Sequence, residues 1–381
     1  MAQSPPALAT PAVLRWARET MGLTVEDAAK KIGVSPDKLE AAEAGDAYLT
    51  MRQAETAAKK YERPTADLFL PEAPEEEPLE AKFRRLPDAP PLPWPSEMHA
   101  LARRIRERQD AAVEIYELLE EEPRWQSVGI DYSDDATVLG ARARARLGID
   151  LSEQRLWRDT SGYQPLREWV DAVESLGVLV MQDGSVPVDM MRGFASTHAQ
   201  VPAIVVNTDD DARARAFTVV HELGHLLRAE AGRSSRSSDE QWCDDFAGEV
   251  MVPGAALSVD FARESRGRGL LAVVDGLALT YGVTPNAMAV RLSRQHLVSG
   301  EDAAAVIERI QERWRGMAPT AGGGNYYRTT VARLGPSFIR LVFTALDSQA
   351  VSFPVAAGVL GVKVNNFPKL RETMMSRSGL G

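Results

Sequence analysis

The chain has 381 residues, 44% of them hydrophobic and 26% charged, which suits a soluble globular protein of two or three domains. A net charge of −10 excludes a protein that coats nucleic acid over its whole surface, but leaves room for one small DNA-reading module. Cys243 is the only cysteine, so an intrachain disulfide is excluded and a reducing cytoplasm is the expected location. Met1 to Pro11 carries no signal-peptide pattern, and no apolar run approaches the roughly 20 residues that span a bilayer.

In chain order, residues 12–70 read as short helices broken at Gly22, Gly33 and Gly45. From Pro71 to Pro95 eight prolines and the acidic run Glu75, Glu76 and Glu77 predict an extended linker. Residues 96–122 predict one long charged helix stopped by Pro123, with Arg103, Arg104, Arg106 and Arg108 on a solvated face beside nearby glutamates. Helical spacing returns at 136–148 and 164–176, and β-branched runs at Gly177–Met181 and Ala203–Asn207 predict strands. Two helices follow, 210–230 and 238–250, joined by the loop Ala231–Ser237. Beyond Leu257 the chain reads as mainly helical, interrupted at Gly322, Gly323 and Gly324. An amphipathic helical tail then runs from Asn325 to about Met375, with Tyr326, Tyr327, Phe338 and Phe343 expected in its core and oligomerisation or partner docking as its uses.

The pattern Ala-x-x-x-Gly-Val occurs three times, at Ala29/Gly33/Val34, Ala278/Gly282/Val283 and Ala357/Gly361/Val362. A small residue lets a second helix approach, and a glycine at the helix end permits a positive φ, so each is a candidate helix-turn-helix, or more plainly a tight helical corner.

The central motif is His221-Glu222-Leu223-Gly224-His225. On a helix the two histidines share one face a turn apart and can bind one metal ion. Glu222 sits at a neighbouring azimuth, where it can hold a water without being a ligand and serve as the general base. A zinc peptidase site needs a third protein ligand and one open position. Glu240, near the start of the next helix, is the best candidate; Asp239, Asp244 and Glu249 are rivals, and Cys243 is a soft alternative or a small packed residue. Asp244 lies four residues after Glu240 on the same face and could accept a hydrogen bond from the far nitrogen of a ligand histidine. Zinc is the expected metal, with manganese the alternative. The strand 203–207 could pair with an extended substrate by edge addition. Arg192, His198 and Tyr281 are possible oxyanion-stabilising groups, each with an ordinary structural alternative.

These segments resemble the ImmA/IrrE metallopeptidases joined to an N-terminal Xre-type helix-turn-helix. The resemblance rests on Arg192-Gly-Phe194, Ala203–Asn207, Phe217–Leu226 and Glu240-x-x-Cys-Asp-x-Phe-Ala247 with Pro253, and covers residues 160–300 or so. It implies a zinc-dependent, gluzincin-like fold in the cytoplasm that acts on regulatory proteins: a DNA-binding repressor to be cleaved, or a toxin to be countered. Asp244 stands where that family usually has asparagine, which adds a charge beside the metal.

Leu23–Ser35 resembles the first two helices of an Xre-type DNA-binding domain. Thr24 and Ser35 are expected N-caps, Ile32, Val34 and Leu39 core, and Pro36–Ala44 the recognition helix, exposing Asp37, Lys38, Glu40, Ala41 and Glu43. Residues 1–72 hold nine Lys/Arg against eleven Asp/Glu, so the module is not basic. Lys30, Lys31, Lys38 and Arg52 are the candidate phosphate contacts, and residues 12–62 either bind operator DNA or serve as a protein-binding or dimerising module.

The expected fold is α+β and mainly helical. Its parts are a helix-turn-helix domain (1–72), a Pro/Glu-rich linker (73–95), a zincin-like metallopeptidase domain with a small sheet and a leading long helix (96–300), and a helical C-terminal domain (301–381). The leading functional expectation is a zinc endopeptidase that controls transcription or a stress response by cutting a regulatory protein. The main alternative is an antitoxin or repressor that sequesters its partner, and a homo-oligomer is compatible with either. A third is a one-component transcription factor with a structural metal, which an intact Glu222 and a weakly basic helix-turn-helix disfavour.

Overall fold

The computed structural model describes residues 5–75, 94–127, 129–232, 238–315 and 325–377. Most of the expected linker (76–93), the centre of the loop after residue 232 (233–237) and the glycine triplet at 322–324 lie outside the described residues. The fold is mainly helical α+β, and its residues group into two compact units divided after Glu107. Among the described residues no helix is long and apolar enough to cross a membrane.

The first unit opens with α1 (Pro11–Glu19), α2 (Val25–Ile32), α3 (Pro36–Ala44) and α4 (Met51–Lys60), followed by a 3₁₀ turn at Thr65–Phe69. Its helices start where their caps dictate: Thr24 accepts from the Asp27 amide and Ser35 from the Lys38 amide, while Pro36 supplies the preset φ of a first helical residue. Between α2 and α3 the chain turns at Gly33, whose φ of 82° suits a residue without a Cβ. Leu14, Met21, Leu39, Leu49 and Leu68 close the core. α3 spans the expected recognition helix, but Glu43 is not on its exposed face. It is buried and held by Arg18 through Nε (2.8 Å) and Nη2 (2.9 Å), because a carboxylate can enter this core only with a cation.

The long helix α5 (Ser96–Leu118) contributes its start to this unit. It ends four residues earlier than expected. Pro123 does not stop it; the chain leaves the helix where Glu120 takes a left-handed φ of 56°. Nor do its arginines form one solvated face. Arg103 is buried, and Arg108 donates to the Arg333 carbonyl at 2.9 Å.

The second unit continues through α6 (Ala136–Leu147), α7 (Leu151–Gln154) and α8 (Tyr163–Glu174) into β1 (Leu179–Asp183), β2 (Gly193–Ser196) and β3 (Ala203–Asn207). The sheet order is β1-β3-β2, with β3 parallel to β1 and antiparallel to β2. β3 is therefore the central strand, hydrogen-bonded on both sides, and cannot take an added strand; the expected substrate pairing there is corrected. β1 starts two residues later than its apolar run suggests, and β2 is too short and glycine-bearing to stand out as a strand.

α9 (Ala212–Glu230) packs against β2, β3 and α8, and α10 (Ser238–Met251) lies on α9 and α6. Then come α11 (Gly254–Glu264), α12 (Leu270–Tyr281), α13 (Pro285–Arg294) and α14 (Gly300–Trp314). The expected tail is not one helix but α15 (Tyr326–Leu334), α16 (Pro336–Asp347), α17 (Phe353–Leu360) and α18 (Phe367–Arg377). α15 and α16 lie against β1, and the buried Glu174 carboxylate accepts from the Ser337 amide at the start of α16. Phe338 and Phe343 are core as expected, but Tyr326 is exposed. The three Ala-x-x-x-Gly-Val corners share one construction. Gly33, Gly282 and Gly361 all take a left-handed φ, and the valine amide after each donates to the alanine carbonyl five residues back.

The buried Arg18–Glu43 pair yields a test of the first unit. Arg18→Met strands the Glu43 carboxylate and should cost about 3–5 kcal/mol, read as lost hydrogen-exchange protection in α1–α4 of the full chain. Arg18→Met/Glu43→Met should recover most of it. Protection unchanged in the single variant would show that Glu43 is solvated.

Candidate metal centre

α9 carries the motif because an unbroken helix runs from Ala212 to Glu230 with its apolar stripe in the core, and the stripe includes Val219, Val220, Leu223, Leu226 and Leu227. Glu222 and His225 are buried within that helix, and His221 is half-buried. One helical turn brings the imidazoles together: His225 Nε2 lies 3.1 Å from His221 Nε2.

α10 closes the site from the other side. Its approach depends on Gly224, where an added Cβ would come within 3.0 Å of the Phe246 ring and 3.3 Å of Cys243 Sγ. Glu240 meets the two imidazoles, with Oε2 3.4 Å from His221 Nε2 and Oε1 3.6 Å from His225 Nε2. Among the described residues Glu240 Oε1 is a buried oxygen with no hydrogen-bond partner.

The remaining nitrogen of each ring has its own neighbour. His221 Nδ1 lies 3.1 Å from Asp244 Oδ1, and His225 Nδ1 lies 3.3 Å from Cys243 Sγ. Burial raises the Asp244 carboxyl, but the hydrogen bond and charge of His221, with the Arg294 guanidinium, outweigh it and hold the group below its ordinary range. Burial pushes the Cys243 thiol up against the pull of its contact with His225. His221, His225 and Cys243 also form a group whose donor atoms lie within 4.8 Å of one another. The thiol, however, addresses the nitrogen of His225 other than the one that meets His221 and Glu240. One ring cannot turn the same face to both, and the two Nε2 atoms with the Glu240 carboxylate are the set that converges.

The other acidic residues of α10 each pair with an arginine. Asp239 is buried against Arg228 (2.6 Å), and Glu249 pairs with Arg291 and accepts from the Gly254 amide. Asp244 takes His221 on one oxygen and Arg294 on the other, 3.3 Å away. None of these arginines could be linked to α10 from sequence, since Arg291 and Arg294 reach residues 42 and 50 positions away.

Two of the oxyanion candidates are committed elsewhere. His198 Nδ1 accepts from the Gln200 and Val201 amides, both at 3.2 Å. Tyr281 donates to the buried Asp260 at 2.8 Å, and burial, with the Asp260 contact, pushes its hydroxyl up to about 12. Arg192 precedes Gly193, where β2 crosses α9 so closely that an added Cβ would overlap the Thr218 side chain, with Glu222 Oε1 3.4 Å away. Its guanidinium is largely exposed, 3.6 Å from Asp210.

Of the candidate phosphate contacts in the first unit, Lys30 and Arg52 are exposed. Lys31 lies 3.4 Å from Glu97, and Lys38 donates to Gln53 at 3.0 Å.

No curated protein and no solved structure matches the chain. Two family models do. Residues 12–68 match a helix-turn-helix domain, and residues 173–293, from the end of α8 almost to the end of α13, match the IrrE N-terminal-like domain of a peptidase family. The chain thus carries a helix-turn-helix domain followed by an IrrE N-terminal-like peptidase-family domain, the fusion that its motifs resemble.

Proposed function

We propose that this chain is a zinc-dependent endopeptidase of the cytoplasm that acts on a regulatory protein, such as a DNA-binding repressor, and so controls transcription or a stress response. The convergence of His221 Nε2, His225 Nε2 and the Glu240 carboxylate, with Glu222 buried in the same helix, carries this reading. Two donors each about 2.05 Å from a tetrahedral zinc ion stand about 3.3 Å apart. The observed separations of 3.1, 3.4 and 3.6 Å fit that spacing. Glu240 Oε1, without a hydrogen-bond partner among the described residues, fits it as well, since a buried carboxylate oxygen calls for a cation or a donor.

His221, His225 and Glu240 would hold the ion. When bound, zinc supplies Lewis-acid polarisation of a peptide carbonyl and acidifies water. Asp244 accepts from Nδ1–H of His221 and so keeps its Nε2 free of a proton. Glu222, held in α9 beside the start of β2, takes a proton from the attacking water on its carboxylate and returns it to the leaving amine nitrogen. The helix-turn-helix places this chemistry on operator DNA, with Lys30, Lys31, Lys38 and Arg52 as phosphate contacts and Lys30 and Arg52 the most accessible.

Purified protein should carry about one zinc ion per chain. His221→Ala or His225→Ala should remove it, Glu240→Ala should weaken it, and Glu249→Ala should retain it. Metal analysis with the last two reversed would overturn the ligand set.

Glu222→Gln should keep fold and zinc but lose about 10²-fold or more in proteolysis, within the usual range for a missing general base. In cells it should then behave like a deletion. Full complementation by this variant would favour the sequestration of a toxin or repressor without cleavage.

Lys30→Ala/Arg52→Ala should weaken binding to operator DNA about equally across sequences and lower the salt slope by roughly two. Undiminished binding would place the contacts elsewhere, and an absence of DNA binding in the parent chain would make the module a protein-binding one.

A further inference from the structure

We propose that Arg294 is a positioning residue of the metal centre, acting through Asp244 on His221. The inference rests on the metal reading above and extends it to a residue just beyond the span matched to the IrrE N-terminal-like domain, which ends at 293.

Three helices form a chain of contacts. Arg294, in the last turn of α13, places Nη2 3.3 Å from Asp244 Oδ2 on α10. Asp244 places its other oxygen, Oδ1, 3.1 Å from Nδ1 of His221 on α9. The second guanidinium nitrogen, Nη1, reaches Asp245 Oδ1 at 2.6 Å. The guanidinium thus spans two adjacent carboxylates with the rigid fork that suits arginine and that lysine lacks.

His221 can offer Nε2 to a cation only in the tautomer with its proton on Nδ1, and that tautomer needs an acceptor held in place. Asp244 is a short side chain whose carboxylate rotates in a broad, shallow well. With 42% of its side chain exposed, it is also open to competing water. Left with one contact it would share its time among orientations. Arg294 occupies the outward oxygen and so fixes the inward one on His221. Exposed ion pairs on their own contribute little to stability, so the effect should appear in the centre more than in the fold. The competing explanation is a plain tie between α13 and α10, for which Asp245 would serve as well as Asp244.

The test is zinc affinity of the full chain by competition with a chelator, together with the visible d–d absorption of the cobalt(II)-substituted protein. Arg294→Met should weaken zinc about 10-fold, the lower end of the 10–100-fold range for groups that orient a ligand histidine, and should shift the cobalt bands. Asp244→Ala should weaken zinc by about 10–100-fold, and Asp244→Ala/Arg294→Met should be no weaker than Asp244→Ala alone. Asp245→Asn should leave affinity and spectrum unchanged. If Arg294→Met does not fold, Arg294→Lys carries the same comparison. Parent-like affinity and spectrum in the Arg294 variant, equal losses in Asp245→Asn, or additive losses in the double variant would each overturn the proposal. Zinc retained by His221→Ala would instead overturn the metal reading. Zinc lost there but unaffected at Arg294 would remove this inference alone.

Discussion

The close approach of α10 to α9 at Gly224 is the contact on which the centre depends. The two imidazoles are one turn apart on any helix that bears this motif, but a third donor must come from another element. The candidate is Glu240 on α10, whose carboxylate lies 3.4 Å from His221 where the two helices pack closely at Gly224. A Cβ there would press on the Phe246 ring at 3.0 Å and the Cys243 sulfur at 3.3 Å, so both would have to give by a few tenths of an ångström. Helix register, interhelical distance and donor geometry are one problem at this position.

Charge then sorts the carboxylates. α10 presents five acidic side chains along one short helix, and α9 and α13 supply arginines to most of them. Arg228 takes Asp239, Arg291 takes Glu249, and Arg294 bridges Asp244 and Asp245. Glu240 turns to both Nε2 atoms, and among the described residues its Oε1 has no hydrogen-bond partner. A buried carboxylate requires a cation or a set of donors, so this sorting is also what makes the polar core tolerable. The same rule operates in the first unit, where Arg18 allows Glu43 to enter the core and removes a negative charge from the exposed face of α3.

Much of this was legible in local pattern. Caps and glycine breaks placed α2 and α3, because Thr24, Ser35 and Gly33 act through bonds only a few residues long. The pairing of His221 with His225 was legible for the same reason: their spacing is the helix period. What escaped was set by distant partners or by weak signals. β3 reads as a strand, yet its central place in the sheet depends on β2, a four-residue segment with no alternation to betray it. Glu43 and Arg103 look like solvent residues until the surrounding helices are assembled. The roles of Arg228, Arg291 and Arg294 follow from contacts 11 to 50 residues away, and Glu120 ends a helix by a backbone conformation that its residue type does not announce.

The central claim is that the ion is held by two imidazole nitrogens and a carboxylate, with Cys243 behind His225 and outside the coordination sphere. X-ray absorption at the zinc edge on the 381-residue chain tests it most directly. The account predicts a shell of nitrogen and oxygen neighbours alone, at about 2.0–2.2 Å. A sulfur neighbour at about 2.3 Å would put Cys243 on the metal and contradict it.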